Sequence, residues 1–324
     1  MRLAEVIGQA AVTRLVARLI SRDRLPHAVL LEGVPGCGRR TLATAIAQAI
    51  LCGQPNAGDA CGLCDSCRMV AAGSHPDLVA TPHDTEALQV SVDLVRDQIV
   101  EAGYQSPLLG AHRVFILYGI ERWNLQSANA LLKLLEEPPA SVRFVITTAQ
   151  ASAVLRTIRS RAQLYRLQAL TGGEVEQVLL RGGQTAIQAR GRAALAVGGH
   201  RGLWQGQPLI PLQSLLQLAR EGYRTAWVSE ALDALPAKLS PEAEAQGITL
   251  AAEQRRTVRI WLGALTQALR SDLRAGEQVA VRATERIPRI VALQHDLARN
   301  IQPRLVVEAI GLGETERLLR RTGN

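Results

Sequence analysis

Short apolar runs alternate with helix-patterned stretches over the first half of the chain. "HAVLLEG" (27–33), "HPDLVAT" (75–81), "RVFILYG" (113–119) and "RFVITTA" (143–149) read as buried strands, aliphatic or β-branched and bounded by polar or glycine-bearing ends. Between them, "TLATAIAQAIL" (41–51), "SVDLVRDQIVEAG" (91–103) and "NLQSANALLKLLEEPP" (124–139) carry helical spacing. In the second of these helices Val92, Val95, Ile99 and Val100 share a face. In the third, Ala128, Leu131, Leu132 and Leu135 do, and Pro138 ends the helix because it lacks an N–H and clashes with the preceding turn. Strands alternating with helices predict an α/β domain, a parallel sheet with helices on both faces.

Beyond about residue 168 only helical patterns remain. "TGGEVEQVLLRGG" opens a small unit that closes at "GQPLIPL"; helical runs then follow at 209–234, 250–274, 286–299 and 303–321, broken at "AKLSPEAEAQG", "RAGEQ" and "NIQP". The expected organisation is an α/β domain over 1–168, a small helical domain over 169–207 and a larger all-α domain over 208–324. No repeat of fixed period and no low-complexity tract interrupts it.

The first strand runs into "LEGVPGCGRRT" (31–41), nearly a phosphate-binding loop. Gly33, Gly36 and Gly38 meet the glycine pattern of G-x-x-x-x-G-K-[ST], in the required strand–loop–helix context. Arg39 and Arg40 then stand where lysine and a hydroxyl residue belong. A guanidinium is a poor substitute for a compact ammonium beside the terminal phosphates, and Arg40 cannot ligate Mg²⁺. Thr41 is one residue late, which on a helix turns its hydroxyl by roughly 100°. The strand "RVFILYG", whose end should supply a carboxylate for the cation, ends instead in Tyr118 and Gly119; Glu121 lies beyond it. Hydrolysis in this site is not expected, and neither ATP nor Mg²⁺ is expected to be held productively. Weak nucleotide binding by the loop backbone stays open.

Cys52, Cys61, Cys64 and Cys67 form C-x8-C-x2-C-x2-C over 52–67, with Gly62 and Ser66 in the turns between them. Four clustered thiolates suit a closed tetrahedral structural zinc site, and an iron–sulfur cluster is the alternative. With all four zinc positions taken by protein ligands, catalysis is not implied. Cys37, in the glycine loop, reads as a small apolar filler.

Composition adds little beyond bounds. A net charge of +8 and a pI near 9.8 permit a nucleic-acid partner, although Lys133 and Lys238 are the only lysines and the excess is an arginine bias. Aromatic residues at 3% argue against a base-stacking platform, so any DNA contact should be to phosphates. There is no signal-peptide pattern at the start and no apolar run long enough to cross a bilayer, so the cytoplasm is the expected compartment.

"IGQ" near the start, "LPHAVLLEG", the glycine loop, the cysteine cluster, "NLQSANALLKLLEEPP", "FVITT" and "TIRSRAQ" occur in the order seen in bacterial clamp-loader subunits of the AAA+ class, which this chain resembles over roughly residues 6–168. "HDLARNIQPRLVVEAIGL" is similar to the family's last collar helices. The resemblance implies a AAA+ P-loop NTPase-like domain, a helical lid and an all-α collar through which subunits of DNA polymerase III assemble. Two kinds of subunit share the pattern, an ATP-hydrolysing tau/gamma kind and a non-hydrolysing kind; the altered loop and the missing strand-end acids match the second. Residue by residue, "SRA" (160–162) stands where the family has Ser-Arg-Cys. Arg161, beside Ser160, would then be an arginine finger acting in trans on the ATP of a neighbouring tau/gamma subunit. The four cysteines match the family's zinc module. Arg201 falls near a nucleotide-sensing position and would have nothing to sense. The implied partners are the tau/gamma and delta subunits, and through the complex the sliding clamp and primer–template DNA. Two other readings are carried beside it: an active tau/gamma-like ATPase, and a zinc-bearing nucleic-acid-binding module on a dead ATPase fold.

Overall fold

The computed structural model describes residues 1–82, 90–183, 185, 186, 189, 231–238, 249–272, 287, 288, 290–293 and 302–312. The chain divides into two compact units, Met1–Leu170 and Thr171–Asn324.

The first unit is a five-stranded sheet in the order β2-β3-β4-β1-β5, with every neighbouring pair parallel. Its strands are β1 Ala28–Glu32, β2 Leu78–Ala80, β3 Arg113–Leu117, β4 Val142–Thr148 and β5 Gln163–Arg166. Around them run α1 Ala10–Ser21, α2 Arg39–Leu51, α3 Asp65–Ala72, α4 Val92–Val95, α5 Ala102–Tyr104, α6 Leu125–Ala130, α7 Leu132–Glu136 and α8 Arg156–Arg159. Alternation along each strand divides the core in two. Val29, Leu31, Val114, Ile116 and Val145 pack with Leu42, Ile46 and Ala49 of α2. Ala28, Leu30, Phe115, Leu117, Phe144 and Ile146 pack on the other face with Val95, Ile99, Leu131, Leu134 and Ile158. Covering both faces is why β1, β3 and β4 read as continuous apolar runs. Phe115 and Phe144 stack at 5.4 Å between ring centroids and tie β3 to β4.

The expected parallel sheet with helices on both faces is present, with several differences in detail. β5 has no apolar signature: of "QLYR" only Tyr165 is buried, and the strand exists because its backbone completes the edge of β1. Helix α2 begins at Arg39, two residues before the apolar pattern does, because Gly38 caps it with φ 95° and its carbonyl accepts the first helical bond from Leu42 N–H at 2.8 Å. The expected helix over 91–103 is α4 followed by a π-helical stretch, Arg96–Glu101, and α5; the wider turn still buries Val95 and Ile99. The helix over 124–139 is broken between α6 and α7 at Leu131, and Leu134 rather than Leu132 joins the fully buried face.

In the second unit α9 Gly172–Arg181 opens on a capping box: Thr171 N–H donates to Glu174 Oε2 at 2.7 Å, and Glu174 N–H donates to Thr171 Oγ1 at 3.4 Å. α10 Leu250–Asp272 buries Val258, Trp261, Leu262, Leu265 and Leu269 along one stripe, and α11 Pro303–Leu312 buries Val306 and Val307. Most of the helical run at 209–234, the breakers at 239–247 and 274–278, and Arg201 lie outside the described residues. No helix among the described residues is long and apolar enough to cross a membrane.

Candidate functional site

The glycine loop leaves the carboxyl end of β1, where ligands of open parallel sheets collect. Its backbone has the form a phosphate loop needs. Gly36 and Gly38 have φ of 89° and 95°, and a Cβ at Gly33 would fall 2.6 Å from Cys37 Sγ and 3.0 Å from Leu167 Cβ. Cys37 is fully buried and burial pushes its thiol pKa up, as suits a filler. The loop is clamped by Gln9, the glutamine of "IGQ". Gln9 Nε2 donates to the carbonyls of Cys37 (3.0 Å) and Gln168 (2.8 Å), and Gln9 Oε1 accepts from Gln168 N–H at 3.1 Å.

The side chains around the loop are a different matter. Arg40 sits over the Tyr118 ring, its Cζ 5.9 Å from the centroid. Arg39 lies within electrostatic reach of Arg40 and Arg122. Burial depresses its pKa, partly offset by Cys37 and the Glu121 carboxylate, and the guanidinium remains a cation. Arg122 lies against Gly119: a Cβ there would fall 2.5 Å from Arg122 Nη2, and Gly119 takes φ 59°. Glu121 is turned to the end of β4, where its Oε1 accepts from Ala149 N–H at 3.1 Å. Thr147 Oγ1 accepts from Gly119 N–H at 3.0 Å, and Glu32 Oε1 accepts from Ala151 N–H at 2.7 Å. The loop therefore carries two left-handed glycines, Gly36 and Gly38, followed by Arg39 and Arg40, with Tyr118 just past the end of β3. Neither arginine offers a ligand atom to a metal cation. Arg122 and Thr147 carried no sequence signal for this place; the fold sets both against Gly119.

The four cysteines converge on one point. All four Sγ atoms lie within 4.8 Å of one another, with Cys52–Cys64 and Cys61–Cys67 each at 3.9 Å. Thiolates at about 2.3 Å from a tetrahedral ion would be about 3.8 Å apart, so the cluster could hold one metal ion. Backbone N–H groups already point at the sulfurs: Cys61 N–H donates to Cys52 Sγ at 3.2 Å, and Leu63 and Cys64 N–H groups donate to Cys61 Sγ at 3.4 and 3.3 Å. Those last two bonds pull the Cys61 thiol down to about 6, whereas burial pushes Cys52 up to about 12. The loop is shaped by a two-residue turn. Asn56 and Asp59 exchange backbone bonds of 2.9 Å around Ala57 (φ 50°) and Gly58 (φ 80°). Gly58 packs directly on α1, where a Cβ would fall 1.9 Å from Ala17 O. The Asp59 carboxylate then accepts from Leu3 (2.7 Å), Ala4 (3.0 Å) and Ala60 (2.7 Å) N–H groups.

Arg161 lies one residue beyond Ser160, the C-cap of α8, well separated in sequence from the glycine loop. Its Nη2 pairs with Glu136 Oε1 at 2.6 Å, and its Nη1 donates to Thr157 O at 2.9 Å and Ser160 Oγ at 3.2 Å. The Arg161 side chain is only partly covered, at 32% exposure.

Comparison with known proteins follows this geometry. Residues 8–171 match a family described as DNA polymerase III, delta subunit. Over 148 residues the chain is 42% identical to the DNA polymerase III subunit delta-prime of Pseudomonas aeruginosa, covering 45% of this chain and 44% of that one. It is 34% identical over 175 residues to the DNA polymerase III subunit tau of Salmonella typhimurium, covering 54% of this chain and 26% of that one. The chain thus spans less than half the length of these curated relatives. A crystal structure of a DNA polymerase III gamma subunit-related protein from Thermotoga maritima superposes with a TM-score of 0.50 at 18% identity, covering 93% of this chain and 99% of that one. That likeness is one of fold.

Proposed function

The chain belongs to the DNA polymerase III delta-subunit family, and from that premise we propose that it is a delta-prime-type clamp-loader subunit without productive ATP hydrolysis of its own. Its place in the loader is beside a tau/gamma subunit, to whose ATP it lends Arg161 as an arginine finger. The delta subunit, the sliding clamp and primer–template DNA are partners of the assembly. The cysteines hold one structural zinc ion, which supplies a fold constraint and no chemistry.

The observation that carries this reading is the pairing of an intact loop backbone with the wrong side chains. Arg39 and Arg40 occupy the lysine and hydroxyl positions, and Arg40 is stacked on Tyr118, which stands where a strand-end acid would be. A cation ligand is missing from both of its usual sources. The finger role is supported by chemistry of the same kind. A guanidinium set against a γ-phosphate stabilises transition-state charge and is worth about 10³–10⁵ in rate when supplied in trans.

The likeness to the Salmonella tau subunit favours one competing reading, an active tau/gamma-like ATPase. The two separate on the purified chain. Our reading expects no magnesium-dependent ATP turnover and no micromolar affinity by calorimetry, together with a stable assembly on mixing with tau/gamma and delta subunits. Turnover by the chain alone overturns it.

A further inference from the structure

An arginine offered to a phosphate outside its own chain needs free donors and a fixed direction, and the surroundings of Arg161 provide both. Guanidinium carries five N–H donors in a planar fork. Here the contacts fall on the two terminal nitrogens: Nη2 on the Glu136 carboxylate, and Nη1 on the Thr157 carbonyl and the Ser160 hydroxyl. Among the described residues Nε donates to none. The plane is therefore held from two directions, by α7 through Glu136 and by α8 through Thr157. The Nε edge is left to donate to an oxygen outside the chain, such as that of a phosphate.

Glu136 is itself set firmly. It closes the last turn of α7, whose Leu134 and Leu135 are buried in the core, and Pro138 and Pro139 follow after the C-cap Glu137. An ion pair between groups exposed at 32% and 47% adds little to stability. Its effect is on direction: a long side chain with several rotatable bonds is confined to one setting, so less is lost when the fork closes on its target.

We propose that Glu136 is a positioning residue for Arg161, a carboxylate that aims the guanidinium while leaving its Nε edge open to a phosphate of the adjacent subunit. This rests on the finger role proposed above.

The test is a double-mutant cycle in the fully assembled loader, with ATP, primed DNA and clamp, comparing wild type, Glu136→Ala, Glu136→Gln, Arg161→Ala and the Glu136→Ala/Arg161→Ala pair. Glu136→Ala is expected to lower kcat roughly tenfold with KM for ATP little changed, since misplacing a catalytic group by about 1 Å costs up to 10²-fold. Glu136→Gln, which keeps an acceptor, is expected to lose less. In the Arg161→Ala background Glu136→Ala should have no further effect. An equal loss in both backgrounds means that Glu136 acts through the fold and overturns the proposal, as does wild-type turnover in Glu136→Ala. A flat Arg161→Ala defeats the finger itself, and the positioning role falls with it. Loss in Arg161→Ala with none in Glu136→Ala defeats only the positioning role. Thermal melting of each variant separates misfolding from either.

Discussion

The guanidinium of Arg40 rests on the face of Tyr118, 5.9 Å from the ring centroid. In a hydrolysing site the first position would carry the hydroxyl that binds magnesium and the second would lie at the acidic strand end; here they satisfy each other by a cation–π contact.

That packing makes repair of the loop alone insufficient. Arg39→Lys with Arg40→Ser is expected to raise nucleotide affinity about tenfold or more, by restoring a compact ammonium and removing a charge that crowds the site. Turnover should stay at background, because Tyr118 and Gly119 still offer no carboxylate. Calorimetry and phosphate release on the same purified chain check both halves.

The cysteine cluster predicts one tightly held metal ion per chain, read by elemental analysis. Removal by a chelator should lower Tm by at least about 5 °C, since a few kcal/mol of folding energy shifts a domain of this size by roughly that amount. Cys61→Ser should do the same. Its thiol is drawn to about 6 first by the Leu63 N–H and then by the Cys64 N–H, so it is ready as a thiolate at neutral pH.

The two-residue turn that shapes this loop is strained at one place. Ala57 holds φ 50° beside Gly58 at φ 80°, a pattern that favours asparagine followed by glycine. Ala57→Asn should stabilise by about 0.5–1 kcal/mol, a gain of a few degrees in Tm. Gly58→Ala should do the opposite and more strongly, because its Cβ would land 1.9 Å from Ala17 O.

How much of this was legible beforehand varied with the kind of signal. β1, β3 and β4 are buried on both faces and so wrote themselves as apolar runs, and the cysteines wrote their own spacing. β5 did not: its order comes from hydrogen bonds to β1, made by backbone atoms any sequence has. The glycine loop could be located, and the residues missing from it named, from eleven letters. Its occupants could not. Arg122 follows β3, which β4 separates from β1 in the sheet, and Gln9 reaches across to Gln168, 159 residues away. Nor did the pattern of "LLEEPP" tell which glutamate would meet Arg161.

Three histidines give a pH dependence with a definite sign. Burial lowers the pKa of His27, His75 and His112; Asp77 partly opposes it in His75, and Arg143 adds to it in the other two. Below the ordinary value of about 6.5 the unfolded chain therefore takes up protons that the folded one refuses. Stability contributed by the neutral rings is present above that value and is lost as pH falls through the folded pKa values. Tm should drop as pH falls below about 6.5, and in NMR titrations the three rings should titrate below that ordinary value.

The most direct test of the central claim is steady-state ATP turnover of the assembled loader, stimulated by clamp and primed DNA, with Arg161→Ala in this chain alone. The account predicts a fall of at least about tenfold while the subunits still co-migrate as one complex. Wild-type turnover in an intact complex contradicts it.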